Sequence, residues 1–449
     1  MSGNSKSRLP PLSRRAALLL PLGVAGCSWF DDFDFFNTKK PPLPGKREAV
    51  LATGGGLEVM ADGPKVVLPT PIENAAWPQA GGNPAHVMQH LAAGPRLSVA
   101  WSSSIGDGGG YRKKLTAQPV IGGGRVFVMD SDGTVGAFDM QSGNRIWRTG
   151  TQDEDNRSTN VGGGLALEGD AVYASTGRAE ILALDAASGK INWRRDIPGP
   201  ARSAPTIAEG RIFVNVIADQ AVALALEDGQ RIWGYNASPA TTPVLGQPAP
   251  AYSEGLVVAG FGSGELAGLR AVSGAVAWTD GLGAGRGRTQ VGDLSAVRGL
   301  PVVLDGVVYA MSLGGLTVAL DLRSGRRLWE RNAGGTESPW LAGDWLFAIT
   351  NDQQLAVFNR NDGRVPWLTD LPRYEDEKKK DGPIYWRGPL LAGDRLIVVG
   401  SNKEALAVSP YTGEILGRQD LPGPASVSPV IAAGTVFIVT DDASLLALR

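Results

Sequence analysis

The sequence is poor in the residues that usually form covalent cross-links and metal sites. Its 449 residues include one cysteine and two histidines. A single cysteine excludes a disulfide framework and a paired haem-attachment motif. The formal net charge of −2 argues against a nucleic-acid-binding surface. Glycine is abundant, with 61 residues, and 43% of the chain is hydrophobic, so a large core with many tight turns is expected.

A strand-and-turn signature recurs seven times at a spacing of about 45 residues. Each copy is Asp-x-x-Ser-Gly-x-x-x-Trp or a variant of it, clearest at Asp185–Trp193 and Asp321–Trp329. The seventh copy, Ser409–Leu416, lacks the tryptophan. We interpret the third as one residue short, because only Glu227–Asp228 precede Gly229. The tryptophans of the other copies are Trp147, Trp193, Trp233, Trp278, Trp329 and Trp367.

Residue chemistry explains each copy as part of a small antiparallel sheet. In the first, the apolar run Arg125–Met129, the turn Ser131–Gly133 and the run Thr134–Phe138 predict a hairpin. The Asp side chain of the following turn can accept backbone N–H groups, and its glycine supplies a positive φ that costs other residues roughly 1–2 kcal/mol. The tryptophan can pack between neighbouring sheets. One sheet cannot bury both of its apolar faces alone, so the sheets are expected to stack around a ring.

The strand count predicts an all-β, eight-bladed β-propeller. Seven repeats supply seven blades, and the runs 427–431, 435–439 and 444–448 supply three strands of an eighth. The segment 97–105 carries Trp101 and fits the missing fourth strand. We therefore expect this N-terminal strand to close the last blade and cover its edge. The seventh blade, without a tryptophan, is expected to be the most loosely packed.

The N-terminal residues have the features of an export signal. Residues 1–26 combine a basic start with an apolar run that is too short to span a bilayer. The small residues before Cys27 resemble a bacterial lipobox, which predicts acylation of Cys27, for example with palmitate; the alternative is a buried free cysteine in a helix. Arg14–Arg15 fit a twin-arginine signal or the basic region of any signal peptide. Residues 27–76 are interpreted as the acylated N-terminus and a flexible tether, and 77–449 as the propeller.

The repeat resembles that of the pyrroloquinoline-quinone (PQQ) type propellers. The likeness is clearest at Ala183–Trp193 and Ala319–Trp329 and extends over the predicted propeller. Two groups share this repeat, namely the quinoprotein alcohol and glucose dehydrogenases and the non-enzymatic lipoproteins of the BamB family. The lipobox, the eight blades and the stretch Gln290–Arg298 resemble the BamB family.

This resemblance implies a non-enzymatic scaffold subunit of the outer-membrane β-barrel assembly (BAM) complex, which assists the folding and insertion of outer-membrane proteins. The implied partners are the POTRA domains of BamA, the other BAM lipoproteins indirectly, nascent outer-membrane protein strands, and the membrane through the lipid anchor. Ser28 resembles the residue that sorts bacterial lipoproteins to the outer membrane. The implied location is therefore the periplasmic face of the outer membrane.

The resemblance also implies a binding surface on two loops between blades. The longest connection, 281–297, leads into the fifth blade, and the segment 241–246 leads into the fourth. A long flexible loop without a partner is the alternative. The implied BamA-binding residues are Thr242, Val244, Leu245, Arg286, Arg288, Asp293, Leu294 and Arg298.

Several of these residues depart from the family's pattern. Thr242, Val244 and Leu245 stand where the family has two leucines and an arginine. Ala296 and Arg298 stand where it often has acids. A partner whose charges match these changes is therefore required.

The principal alternative is a membrane-anchored quinoprotein-like (PQQ-dependent) oxidoreductase or a ligand-binding propeller. A quinone enzyme needs a metal, a general-base carboxylate and groups that stack on a planar ring. The enzymes of the resembling group share an adjacent cysteine pair, which one cysteine cannot form. The carboxylates Asp139, Asp185 and Asp321 recur at the turns, which favours a structural role. We predict no catalytic residue, no cofactor and no metal site.

The remaining motifs are weak signals of function. His86 and His90 could bind a metal from one helix face, but no third ligand is suggested, and a solvent-facing first helix is favoured. The charged run 375–380 predicts a solvated loop. The glycine-rich segments 106–110 and 281–287 lack the Lys-Ser/Thr pair of a phosphate-binding loop.

Overall fold

Antiparallel four-stranded sheets are the building blocks of the fold. The computed structural model describes residues 57–60, 64–110, 113–152, 160–240, 246–283 and 295–449, which belong to one compact unit. These residues contain eight four-stranded sheets, one two-stranded hairpin and no helix. No membrane-spanning helix is found in this part of the chain. The predicted eight-bladed β-propeller is confirmed.

Consecutive strands form each of the first four blades, after the strand β1 (Val99–Ser104). The strands of blades one and two are β2 (Val120–Gly122), β3 (Arg125–Met129), β4 (Val135–Asp139), β5 (Arg145–Thr149), β6 (Gly163–Glu168), β7 (Ala171–Thr176), β8 (Glu180–Asp185) and β9 (Ile191–Asp196). Those of blades three and four are β10 (Thr206–Ala208), β11 (Arg211–Val216), β12 (Gln220–Ala225), β13 (Arg231–Asn236), β14 (Ala251–Ser253), β15 (Leu256–Gly260), β16 (Glu265–Arg270) and β17 (Val276–Gly281).

The remaining blades follow the same order. Blades five and six contain β18 (Val302–Leu304), β19 (Val307–Met311), β20 (Thr317–Asp321), β21 (Arg327–Arg331), β22 (Trp340–Ala342), β23 (Trp345–Ile349), β24 (Gln354–Asn359) and β25 (Leu368–Asp370). A hairpin of β26 (Tyr374–Asp376) and β27 (Asp381–Pro383) follows. Blade seven and the three consecutive strands of blade eight are β28 (Trp386–Leu391), β29 (Leu396–Gly400), β30 (Glu404–Val408), β31 (Ile415–Asp420), β32 (Val430–Ala432), β33 (Thr435–Val439) and β34 (Ser444–Leu448). The charged run predicted as a loop therefore lies largely in a hairpin.

The ring is closed by β1, as the strand count predicts. This strand pairs antiparallel with β34, and its Trp101 lies opposite Ala447. The Trp101 indole donates a hydrogen bond to the carbonyl oxygen of Met140 in blade one, at 3.3 Å. The two ends of the propeller are thus joined both by a sheet and by a contact between blades.

The blades are arranged around an axis that their first strands line. The first strands of neighbouring blades, such as β2 and β6 or β6 and β10, contact one another. Apolar side chains fill the spaces between blades. In one such cluster Val120 and Phe127 of blade one join Leu165 and Leu182 of blade two. The core is therefore divided among the interfaces between blades.

Each repeat tryptophan packs on the turn of the next blade. The Trp278 indole of blade four donates to the carbonyl oxygen of Leu322 in blade five, at 2.7 Å. A Cβ atom at Gly325 would lie 2.7 Å from Trp278 Cγ, and Gly325 has a φ of +69°. Asp321 Oδ1 accepts from the backbone N–H and the hydroxyl of Ser324, at 2.8 and 2.6 Å. The hydroxyl bond is the main cause that lowers the pKa of Asp321, and the predicted turn role is confirmed.

The third repeat is not one residue short, and that interpretation is wrong. The Gly229 N–H donates to the carbonyl oxygen of Ala225 at 3.0 Å, as Gly189 does to Asp185 at 2.8 Å. The turn therefore has full length, and Ala225 replaces its aspartate. The first residue of each turn is therefore found by counting four residues back from the glycine. Searching for an acidic residue gives the wrong position in this repeat.

Blade seven has open space where the other blades have an indole. Gly417 pairs with Ala407, in the register that places Trp193 opposite Ala183 in blade two. No atom lies within 4 Å of a Cβ built at Gly417. In blade eight no turn joins β34 to β1, since the two strands are distant in the chain. The other repeat tryptophans pack on the turn between the third and fourth strands of the next blade. A tryptophan at position 417 of blade seven would find no such turn in blade eight.

Residues 74–91, here called the plug, cover the end of the ring at which the first strands end. They hydrogen-bond to every blade in ring order. The partners of the plug, from blade one to blade eight, are Ile121, Leu167, Ile207, Tyr252, Val303, Trp340, Gly393 and Ile431. We call this end the plug face, and the opposite end, where the first strands begin, the loop face.

The plug contradicts the expectation of a solvent-facing helix. Residues 84–91 form no helix, and both histidines are buried. His86 Nδ1 lies 2.7 Å from the carbonyl oxygen of Pro301. His90 Nδ1 and Nε2 lie 2.7 and 2.6 Å from the carbonyl oxygens of Pro69 and Gly393. The two histidines thus hold the plug to the blades.

The described part of the predicted tether also packs on the propeller. Val59 forms a bridge with Val365, and Val66 is buried beside blades six and seven. The Trp345 indole donates to the carbonyl oxygen of Val67 at 3.1 Å. Contacts with the propeller therefore begin before residue 77.

Candidate partner-binding surface

The two loops predicted to bind a partner leave the propeller on one face. One connects β13 to β14 and the other connects β17 to β18. The described ends of both connections therefore lie on the loop face, in adjacent blades. Residues 241–245 and 284–294 lie outside the described residues. Of the predicted contacts only Arg298 is described; Thr242, Val244, Leu245, Arg286, Arg288, Asp293 and Leu294 are not.

Asp219 fixes both ends of the loop into blade four. Its carboxylate accepts from the backbone N–H of Ala240 at 2.8 Å, just before the loop. It also accepts from the Gln247 amide at 2.9 Å, just after the loop, and from the Gly262 N–H at 2.8 Å. Asp219 is buried, so these charge-assisted bonds form a rigid base for the loop.

The turn Ser312–Gly314 has the same role for the loop into blade five. The Ser312 hydroxyl donates to the carbonyl oxygen of Leu282 at 2.8 Å, and the Leu313 N–H donates to that of Ala296 at 2.9 Å. Leu282 and Ala296 flank the loop, and both are buried. Both ends of the connection into blade five are therefore anchored to the same hairpin turn, Ser312–Gly314.

The carboxyl-terminal ends of the two loops meet at Gly246 and Arg298. A Cβ atom at Gly246 would lie 3.3 Å from Arg298 Nη2. Arg298 is partly buried, and burial lowers the pKa of its guanidinium group. Its neighbour Ala296 is buried in the blade. Arg298 also lines the cavity at the axis of the ring, which is described next.

An axial cavity of about 520 Å³ opens among the segments that precede the first strands. All eight blades contribute to its wall, and Ala80 of the plug also lines it. The charged residues of the wall are Lys114, Arg202, Arg298, Arg387 and Glu337. Arg387 is paired with Glu337, whose charge raises the pKa of that guanidinium group. The cavity is therefore strongly cationic.

The described residues contain no group of three or more His, Cys, Asp or Glu side chains that could hold a metal ion. His86 and His90 face backbone carbonyl oxygens, as described above, and do not converge on one point. Cys27 lies outside the residues that the structure describes.

Sequence reasoning missed the residues that hold the loops. Asp219 lies in a β-hairpin turn between β11 and β12, and Ser312 lies between β19 and β20. Neither belongs to the repeated turn signature. Gln247 and Glu337 gave no signal either, because their partners come from other blades. Only the spacing of Asp219 after the strand β11 marks it as a turn residue.

Comparison with known proteins identifies the family. The family model described as outer membrane protein assembly factor BamB matches residues 98–159, 131–369 and 373–449. The assembly factor BamB of Yersinia pestis is 29% identical over 301 residues, which cover 66% of this chain and 75% of that protein.

Solved structures show the same fold at lower identity. The crystal structure of BamB from Moraxella catarrhalis matches with a TM-score of 0.67 at 18% identity, covering 79% of this chain and all of that one (100%). Quinohemoprotein alcohol dehydrogenase from Comamonas testosteroni matches with a TM-score of 0.63 at 14% identity, covering 83% and 80%. Both likenesses establish the propeller alone, whereas the family model spans most of the chain. The chain belongs to the family of the outer membrane protein assembly factor BamB.

Proposed function

We propose that this protein is a non-enzymatic scaffold subunit of the BAM complex, which binds the POTRA domains of BamA and assists the folding and insertion of outer-membrane proteins. Membership of the BamB family supports the role in assembly. The observation that carries the binding site is the pair of adjacent loops on the loop face, whose ends are held by Asp219 and Ser312.

A rigid base favours association. Ordering a free loop on binding costs affinity, and anchored ends reduce that cost. The loops carry Arg286 and Arg288 together with Asp293 and Leu294. Such a surface fits a partner with acidic and apolar groups, and the charges would set specificity and association rate.

The proposed location is the periplasmic face of the outer membrane, with anchoring through acylated Cys27. Cys27→Ala removes the thiol that receives the lipid. The variant should stay soluble or remain attached by its uncut signal. Recovery of processed, acylated Cys27→Ala protein in the outer membrane would rule out this anchor.

Calorimetry of the soluble protein with purified POTRA domains of its own BamA tests the partner site. Three single variants, Asp293→Arg, Leu294→Asp and Arg286→Glu, should weaken binding. Loss of a central leucine or reversal of an interface charge can cost more than about 2 kcal/mol, or roughly 30-fold in affinity. In all three, a change in a loop should alter the free energy of unfolding by under about 0.5 kcal/mol.

Arg323→Glu is the matched control. Its side chain is 81% exposed, and it lies in the turn between β20 and β21, on the plug face. This reversal should leave POTRA binding unchanged. Unchanged affinity in all three loop variants would place the binding site elsewhere on the molecule.

A further inference from the structure

The axial cavity contains more positive charge than the described protein neutralises. Its wall holds four cations and one carboxylate. That carboxylate, Glu337, is already bound to Arg387 and also accepts from the Ser428 hydroxyl at 3.4 Å. Asp441, the next carboxylate nearby, accepts from Ser426 at 2.7 Å and interacts with Lys114. Among the described residues, Arg202 and Arg298 form no ion pair within 4.0 Å, although the charge of Glu337 acts on Arg298.

Two buried polar atoms of residues that line this cavity also lack partners. Arg298 Nε and Arg387 Nε are buried and make no hydrogen bond to described residues. Arg202 donates to the carbonyl oxygen of Val161. Burial lowers the pKa of the guanidinium groups of Arg202 and Arg298. A partly buried cation that forms no ion pair is costly, so the site is suited to an anion that supplies the missing charge.

Both arginines adjoin the base of the loop into blade four. The Gln247 N–H donates to the carbonyl oxygen of Arg202 at 3.2 Å, and its neighbour Gly246 lies against Arg298. Guanidinium groups bind carboxylate and phosphate oxygens with two parallel hydrogen bonds. Hydroxyl groups of Ser203 and Ser338 in the same wall can add donors.

We propose that the axial cavity binds a small oxyanion with two or more negative charges, held by Arg202 and Arg298 and opposed by Glu337. The volume of about 520 Å³ suits a small molecule but not a folded partner. The plug limits the cavity at one end, so such an anion would enter from the loop face. This site is separate from the proposed contacts of Asp293 and Leu294 with POTRA domains.

Titration calorimetry of the soluble protein with pyrophosphate and with citrate, at constant ionic strength, tests the proposal. Binding of either anion at one site is expected, and the comparison distinguishes phosphate from carboxylate as the preferred group. Arg202→Gln and Arg298→Gln should each weaken binding by at least about tenfold, the loss expected for one charge-assisted hydrogen bond. Glu337→Gln should strengthen it, because the competing carboxylate is removed.

Two controls keep the outcome interpretable. Arg323→Gln, on the plug face, should bind the anion as the unaltered protein does. Arg202→Lys should fold, retain the charge and bind more tightly than Arg202→Gln, and Arg202→Gln should still bind POTRA domains. Absence of heat with both anions, or equal weakening by Arg323→Gln, would overturn the proposal.

Discussion

At the scale of single residues, the contact between an indole and a turn glycine explains the repeat signature. Gly325 and Gly306 both have φ near +70°, at +69° and +71°, in the same blade. A Cβ at Gly325 would meet Trp278, whereas a Cβ at Gly306 would meet no atom within 4 Å. The glycine of the signature is therefore required for space as well as for backbone conformation.

This pair allows a matched test of the tryptophan contact. Gly306→Ala should lower the free energy of unfolding by roughly 1–2 kcal/mol, the cost of a left-handed alanine. Gly325→Ala should lower it by about 1–3 kcal/mol more, because the methyl group overlaps the indole. Denaturant unfolding of both variants measures the difference. Equal losses would mean that the ring does not restrict the turn.

His86 gives the plug a dependence on pH. Burial lowers the pKa of His86 to about 4, although its bond to Pro301 acts in the opposite direction. An imidazole in the unfolded chain has a pKa near 6.5, so between about pH 6.5 and 4 the unfolded state binds a proton that the folded state does not. This contribution to stability is fully present above pH 6.5 and is lost as the pH falls to about 4.

Unfolding measured from pH 7 to pH 4 should show this loss, which corresponds to roughly 3 kcal/mol. In His86→Gln the same pH series should be flatter, because glutamine does not titrate. Nuclear magnetic resonance can follow His86 directly, since the chain has two histidines. A His86 resonance that titrates near pH 6.5 in the folded protein would contradict its burial in the plug.

At the scale of elements, closure by β1 determines whether the ring is continuous. Ser104 and Ser444 are Cα partners in the pairing of β1 with β34. Directly paired strand residues lie roughly 4.5–5.5 Å apart, within the range of a disulfide. Ser104→Cys with Ser444→Cys, in a protein that starts after Cys27, should therefore form an intramolecular disulfide on oxidation.

Electrophoresis without reductant and mass spectrometry would detect that disulfide. Ser104→Cys with Ser324→Cys is the control, because Ser324 lies in blade five and should remain unlinked. A monomer that forms the second bridge as readily as the first, or forms neither, is incompatible with β1 as the closing strand.

The plug shows where sequence reasoning fails at this scale. The blades were predictable because their turns repeat a local requirement for glycine, an acid and an indole. Residues 74–91 have no repeat, and their contacts are mostly backbone hydrogen bonds to residues far away in the chain, such as Ile121 and Val303. The spacing of His86 and His90 fits a helix face, yet His86 has a φ of +60°. The spacing of residues in the sequence therefore does not predict hydrogen bonds between the plug and distant strands.

At the scale of the whole molecule, the blade count and the order of the loops followed from the sequence. Counting strands placed β1 in the last blade, and the long connections before blades four and five could be located. The residues that hold these loops, Asp219 and Ser312, could not, because their importance depends on neighbours in adjacent connections. Arg298 was predicted as a contact with BamA, and only the fold places it in the axial cavity.

The central claim, a scaffold that binds BamA through the loop face, is tested most directly in the native membrane. The acylated protein would be purified from the outer membrane of its own bacterium, and the co-purified proteins quantified by mass spectrometry. BamA should co-purify with the unaltered protein and with Arg323→Glu, and should be strongly reduced with Leu294→Asp at equal protein level. Absence of BamA above background, or an equal amount with Leu294→Asp, would contradict the account.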